Sequence, residues 1–288
     1  MVSGTLPIRV MEPDDIPVAM SVINQEGWGY TLPEIERMLR LEPGGSFLYG
    51  PKEPLGAITT VVHGSIGVIG HLVVSRKARG RGIGGALLSH AIDHLHSRGS
   101  DSIIVIATDE GCPLYSKHGF VVEREILCKH LMLGPGKMPL RPGRPEPMVK
   151  TDLREVSDID RELFGDDRSK LISLLYEESP GSCFKLVGAE GIEGFSMGRN
   201  TANGFDFGPW VCRTGSPKDA EELLDAALST ARQAKIYSGM FADNRAAVTI
   251  TEKLPLFKMW STKLMVLGKS RCYPHTDQLY GIAAFELG

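Results

Sequence analysis

The sequence predicts an α/β (α+β) protein of two tandem domains of one kind, each a mixed, mostly antiparallel sheet flanked by helices. Three observations carry this expectation. A strand, a glycine-rich turn and a helix follow one another over 68–91. The elements up to that turn run strand, two helices, three strands. After a proline-rich break at 133–147 the same grammar returns in weaker form. A doubly wound sheet would alternate strand and helix from the start, and this chain does not.

In chain order, 6–11 is a short strand candidate, and Asp14 and Asp15 open a helix over 16–25, where acidic residues suit the helix dipole. A second helix follows over 31–41, with Thr31 as N-cap and Glu34 three residues on, the spacing of a capping box. The loop between these helices carries Glu26, Trp28 and Tyr30. Two antiparallel strands are expected at 46–49 and 56–63, joined by a turn containing PKEP.

The central stretch reads VIGHLVV at 68–74, then SRKA, then RGRGIGG at 79–85, then ALLSHA. The first run is apolar and β-branched, long enough for a buried strand. Leu88, Ala91, Ile92 and Leu95 recur at spacings of three and four, the apolar face of a helix. Between them lie Gly80, Gly82, Gly84 and Gly85, interleaved with Arg79 and Arg81. A glycine-rich turn opening a helix leaves N–H groups without intrahelical partners, and the helix dipole adds positive charge there. With two arginines beside it, this turn suits a pyrophosphate. His90 and His94 lie one helical turn apart, but with no third ligand in view they read as solvated side chains and no metal is expected.

The strand 103–108, IIVIAT, is almost wholly apolar and is expected at the sheet centre. The segment 109–120 follows, and 121–133 supplies strand material to finish the sheet.

Two phosphate-binding patterns fit the turn. Gly80, Gly82 and Gly85 match GxGxxG, with Asp109 after a later apolar run, as in a dinucleotide fold. There, however, the first glycine follows its strand almost directly, whereas Ser75 to Ala78 intervene here. The second pattern is R-x-x-G-x-G, met by Arg79, Gly82 and Gly84 after the strand Leu72-Val73-Val74. Together with Leu114, Tyr115, Gly119 and Phe120, which fit L-Y-x-x-x-G-F, it resembles the GCN5-related N-acetyltransferase (GNAT) family. The resemblance covers nearly the whole chain and is specific over 68–120.

The resemblance implies acetyl-CoA as co-substrate, held by Leu72, Val73, Val74, Arg79, Gly80, Arg81, Gly82, Ile83 and Gly84. It implies Tyr115 beside the thioester sulfur, as the acid for the departing thiolate, and a backbone N–H near Val74 on the thioester carbonyl, a donor of the kind typically worth about 3 kcal/mol in the transition state. An asparagine common in the family seven residues before that tyrosine is Thr108 here, which leaves the cofactor hydrogen bonds of that region open. In the family the loop bearing Glu26, Trp28 and Tyr30 helps wall the acceptor pocket. Glu26, His71, Asp109 and Glu110 are all base candidates by residue type. The implied reaction is acetyl transfer to a primary amine of a small molecule or peptide. A non-catalytic acyl-CoA sensor and a dinucleotide-dependent oxidoreductase remain the alternatives.

The expected division is an acetyltransferase domain at 1–133, a Pro/Gly-rich linker at 134–148 and a related domain at 149–288. In the second domain, TDLREV at 151–156 reads as a strand and SDIDRELF at 157–164 as a helix. Ser216 and Pro217 signal another helix start, and Asn244 with Ala247 matches the family's closing helix. The segment before the Ser216 helix is CRTGS, with one glycine and one arginine, so this domain resembles a degenerate GNAT unit without an acetyl-CoA motif. Its aromatics Tyr176, Trp210 and Trp260 are expected to line a cleft shared with the first domain.

The net charge of −3 gives no broad footprint for nucleic acid or an anionic membrane. Five cysteines form no CxxC and no even framework, which reads as reduced thiols. No apolar run approaches a membrane span, and the beginning of the chain lacks a basic and apolar leader. A cytoplasmic address is the expectation by default, and a homodimer is left open.

Overall fold

The computed structural model describes residues 8–133 and 143–288. Residues 6 and 7 of the first strand candidate, and 134–142 of the expected linker, lie outside the described residues. The first half contains β1 (Ile8–Val10), α1 (Ile16–Ile23), α2 (Leu32–Leu41), β2 (Ser46–Tyr49), β3 (Gly56–His63), β4 (Ile66–Val74), α3 (Ile83–Ser97), β5 (Ser102–Ala107), α4 (Cys112–Lys117) and β6 (Val121–Met132). The second contains β7 (Glu146–Pro147), α5 (Leu153–Phe164), α6 (Ser169–Glu178), β8 (Cys183–Gly188), β9 (Gly191–Asn200), β10 (Phe205–Cys212), α7 (Pro217–Leu228), β11 (Lys235–Phe241), α8 (Arg245–Glu252), β12 (Leu256–Gly268) and β13 (Leu279–Gly281).

The helix starts follow local chemistry. Glu34 accepts the backbone N–H of Thr31 at 2.6 Å, so the capping box forms. Ser216 accepts from the Asp219 N–H at 3.3 Å and Asn244 from the Ala247 N–H at 3.0 Å, which caps α7 and α8. The expected strand at 151–156 is instead helical. Asp152 accepts the Val149 N–H at 2.7 Å and turns the chain before α5 begins at Leu153. Val156, Ile159 and Leu163 then share the buried face of that helix.

The two halves form one sheet, in the order β1-β2-β3-β4-β5-β12-β6-β11-β10-β9-β8-β7. The order is symmetric about the β12–β6 pair. Each half sends its long strand across to the other: β12 pairs antiparallel with β5, and β6 with β11. Residues 121–133 thus continue the second half's sheet, not that of the first. A period-two pattern marks a strand and its buried face but does not name its neighbour. The longest register in the sheet, Leu256–Val266 against Val121–Leu131, joins the exchanged strands. Beneath it, Met38, Leu41 and Val61 of the first half pack with Phe164, Leu175 and Phe195 of the second in one buried cluster. Fully burying such a side chain contributes about 1.5–3 kcal/mol, so the halves share a core and not merely an edge.

Among the described residues each half has one parallel pair, and both pairs are short. β4 and β5 pair only from Ile66↔Ser102 to Ile69↔Val105. Beyond Ile69, β4 stays with β3 but no longer pairs with β5. A bulge redirects it: Ala57 opposes Val73 and Thr59 opposes Gly70, so β4 carries an extra residue, with His71 at φ +48°. The parallel pair β10–β11 covers only Phe205↔Ile236 and Asp206↔Tyr237. There β13 runs antiparallel beside β10, with Trp210↔Gly281 and Val211↔Leu279, and the Ile282 N–H reaches the Gly239 carbonyl of β11 at 2.9 Å. The opening in the second half is filled by the chain itself.

Candidate active site

The opening between β4 and β5 lies above the glycine turn. A 3-10 turn (Arg76–Ala78) leads from β4 to Arg79, and Gly82 N-caps α3. Gly80 and Gly82 sit at φ +75° and +80°, in the left-handed region that glycine enters without strain. A Cβ at either position would meet no atom within 4 Å, so both face open space. Gly84, by contrast, lies against Leu114 of α4 and Val74 of β4, at 3.3 and 3.5 Å from an ideal Cβ. Ile83 is buried below the turn while Arg81 is exposed. The turn is therefore shaped to admit an anion at Gly80 and Gly82 while Ile83 and Gly84 seat the helix.

Arg79 is engaged. Its Nε donates to the Val74 carbonyl at 3.2 Å and its Nη2 pairs with Glu26, while Arg76 lies 3.6 Å from the same carboxylate. Glu26, expected on the acceptor side, faces the arginines of the turn. Trp28 is largely exposed and meets the edge of Tyr30 at 6.1 Å.

Tyr115 lies on the α3 side of the sheet, in the cluster that holds Ile69, Val105 and Ile83, with Leu72 and Val74 at its margin. Its ring meets Phe120 edge-on at 5.6 Å. Burial, with a smaller effect of Cys112, raises the phenol above its ordinary value, so it stays protonated at neutral pH.

His71 emerges on the opposite face. Its Nδ1 meets Thr59 Oγ1 at 2.8 Å, and its ring stacks edge-on against Tyr30 at 4.2 Å. Its Nε2 is buried and has no hydrogen-bond partner among the described residues. Burial lowers its pKa to about 4, which keeps the ring neutral. The opening thus lies between a protonated phenol on one face and a neutral imidazole on the other. Asp109 and Glu110, the remaining base candidates, are exposed.

Sequence reasoning missed Glu286. It is buried, its Oε2 accepts the Tyr30 hydroxyl at 3.1 Å, and its Cβ lies 2.6 Å from the ideal Cβ position of Gly70, where β4 leaves β5. No local pattern marks it. The three aromatics expected to line the cleft have their contacts elsewhere among the described residues. Trp210 is fully buried in the second half, its Nε1 donating to the Ala220 carbonyl at 3.0 Å, and Tyr176 packs against the shared core. Trp260 meets His130 edge-on at 4.7 Å on the exchanged strands. Trp210 fails as a lining residue because its indole N–H finds a partner inside the core.

Among the described residues, no group of three or more His, Cys, Asp or Glu could hold a metal ion, and no helix is long and apolar enough to cross a membrane. Two family models described as "Acetyltransferase (GNAT) domain" match this chain, at 37–132 and 156–281. No curated protein matches it. Among solved structures, a Pyrococcus horikoshii protein described as a candidate acetyltransferase is similar along 100% of this chain and 98% of its own, at 24% identity and a TM-score of 0.81. A GCN5-related N-acetyltransferase from Sphaerobacter thermophilus is similar over 92% of this chain and 97% of its own, at 16% identity and a TM-score of 0.67. One from Kribbella flavida is similar over 91% and 71%, at 13% identity and a TM-score of 0.57. At these identities the likeness speaks for the fold. With both halves matched by models of one family, the chain belongs to the GNAT acetyltransferases, N-acetyltransferases whose co-substrate is acetyl-CoA.

Proposed function

We propose that residues 1–133 hold the transferase site and acetylate a primary amine of a small molecule or peptide. The observation that supports this most is the parting of β4 from β5 after Ile69 and Val105, directly above the open turn at 79–84. On this reading 149–288 has no acetyl-CoA site of its own, because β13 runs where the corresponding strands part.

The residues fit the co-substrate. Gly80 and Gly82 leave room for a diphosphate, α3 offers N–H groups to it, and Arg79 and Arg81 supply charge. On this reading main-chain groups of Leu72, Val73 and Val74, on the side of β4 that β5 has left, hydrogen-bond the pantetheine arm and the thioester carbonyl. When bound, acetyl-CoA supplies the activated acetyl group. Tyr115 carries a proton at Oη for the departing sulfur. The amine approaches in its neutral form from the opposite face, past Tyr30 and His71; as its C–N bond forms and the C–S bond breaks it sheds a proton to water, the sulfur takes the proton of Tyr115, and solvent restores that proton. Fixing both reactants across one opening supplies effective molarity.

The test is a coupled free-thiol assay across amino acids, alkyl amines and peptides, alongside titration with acetyl-CoA. Parent protein should bind acetyl-CoA and release thiol with at least one amine. Gly82→Val should lose binding, since its side chain meets both a left-handed backbone and the diphosphate's room. Unchanged binding by that variant would refute the assignment. Saturable binding without turnover on any amine would favour an acyl-CoA sensor.

A further inference from the structure

The segment 282–288 links the two openings of the sheet. It leaves β13 at the Gly239 carbonyl of β11 and ends on the first half. There His63 Nε2 meets the Leu287 carbonyl at 3.1 Å, Arg168 donates to the Gly288 carbonyl at 2.6 Å, and Gly288 lies against Val68 and Ile104. Glu286 is thereby held over Gly70, at the mouth of the opening and on the face that bears His71.

Carboxylates from three separate elements act on the Tyr30 hydroxyl. Its pKa is held well above 10 by burial first, then by Glu286 of this segment, Glu34 of α2 and Asp206 of β10. Two arginines lie nearby, and of these Arg37 has a carboxylate partner while the Nε of Arg199 is buried without a hydrogen-bond partner among the described residues. Arg37 is bonded to both oxygens of Glu178 at 2.6–3.1 Å, and Arg199 donates to the Gly208 and Ala283 carbonyls at 2.8 and 3.0 Å. Beside these carboxylates stands the buried Nε2 of His71, without a partner among the described residues and with its ring on Tyr30. The three carboxylates thus face one guanidinium, that of Arg199, which has no carboxylate hydrogen-bonded to it among the described residues.

We infer that Glu286 is the acceptor-recognition residue, and that the acceptor is a cationic amine without a carboxylate of its own, an alkyl mono- or diamine and not a free α-amino acid. This rests on the transferase reading above and names its substrate class. An ammonium group offers three N–H donors, enough to serve both a carboxylate and an imidazole nitrogen. An acceptor bearing its own carboxylate would be repelled by Glu286 and Glu34, and by Asp206 wherever that group is ionised. The second half would thus contribute to the first half's site the residue that selects its substrate.

The test is calorimetric titration of the full-length chain with 1,4-diaminobutane and with glycine, CoA present, in parallel with acetyl-CoA titration. Parent protein is expected to bind the diamine at least tenfold more tightly than glycine. Glu286→Gln should weaken diamine binding tenfold or more and leave acetyl-CoA affinity within twofold. Asp206→Asn, at a partly buried residue whose carboxylate makes no hydrogen bond among the described residues, should weaken the diamine threefold or more at pH 8, where the carboxylate is ionised, and carries the test if E286Q does not fold. Diamine affinity within twofold of parent in the folded variants would overturn the inference, as would glycine binding as tightly or a parent that binds no diamine. Loss of acetyl-CoA binding by the parent would strike the transferase reading instead, so the two failures are separable.

Discussion

The Tyr30 hydroxyl donates to the Glu286 carboxylate at 3.1 Å across 256 positions of sequence. The loop after α1 and the last residues of the second half therefore meet at the site. Arg168 secures this meeting from below. It is fully buried, bonded to both oxygens of Asp160 at 2.7–2.8 Å and to the Gly288 carbonyl, with its guanidinium 4.2 Å from the Phe164 ring. Arg168→Ala would leave a buried carboxylate unpaired and a buried carbonyl without its donor. The expected cost is about 3–5 kcal/mol, read by chemical denaturation. In protein that still folds, the KM for the amine should rise while that for acetyl-CoA holds. A loss of stability below about 1 kcal/mol would mean that Asp160 finds another partner.

The amino-acid sequence carries the transferase half of this site and misses its acceptor half, for a physical reason. Arg79, Gly82, Gly84 and Tyr115 are legible because local geometry demands them: a left-handed turn, a helix start, a short helix closed by Gly119. The capping box at Thr31 and Glu34 and the cap at Ser216 are legible for the same reason. Glu286 and Asp206 come to bear on Tyr30 only with β6 and β12 exchanged between the halves, and strand patterning does not encode that exchange. Even Glu26 was visible by position but not by partner, since its ion pair with Arg79 depends on how α1 sits against the turn.

That ion pair gives a second prediction. In this structure the Arg79 guanidinium lies on Glu26, on the rim where a diphosphate would need it. Glu26→Gln removes a competing anion and a repulsive charge. Since the Arg79 side chain is 46% exposed, the pair is screened and weak. Acetyl-CoA affinity should improve about two- to fivefold, with the gain shrinking as salt is raised. Weaker binding in the variant would show that Glu26 serves instead to hold the loop in place.

Tyr115 allows a sharper test, because Phe fills the same volume among Ile69, Val105 and Phe120. Its phenol is raised by burial and so carries its proton throughout the neutral range. Tyr115→Phe should lower kcat by about a hundredfold or more, leave the melting temperature near that of the parent and barely change the KM for acetyl-CoA. An unchanged kcat would reduce Tyr115 to a packing residue and leave the thiolate to be protonated by water.

Asp206 gives the pH dependence. Burial pushes its pKa up to about 7, helped by Glu34 and Glu286 and opposed by Arg199 and Arg37, and it bears in turn on Tyr30 and Tyr237. The folded state therefore keeps a proton that the unfolded chain releases near the ordinary value of 3.8. Stability from this group is fully present below that value and is lost as the pH rises to about 7. His71 acts in the opposite sense. Its folded pKa of about 4 lies below the usual 6.5, so its contribution grows over that interval. The two partly cancel in the parent, and a simple stability profile would hide both. Asp206→Asn removes one of them. The unfolding free energy of the parent minus that of the variant should fall steadily between pH 4 and pH 7 and level off above it, by an amount on the order of a few kcal/mol. A difference that stays flat across this range would mean the carboxylate is ionised in the fold at all these pH values, and that the surroundings of Tyr30 are less acidic than the three carboxylates imply.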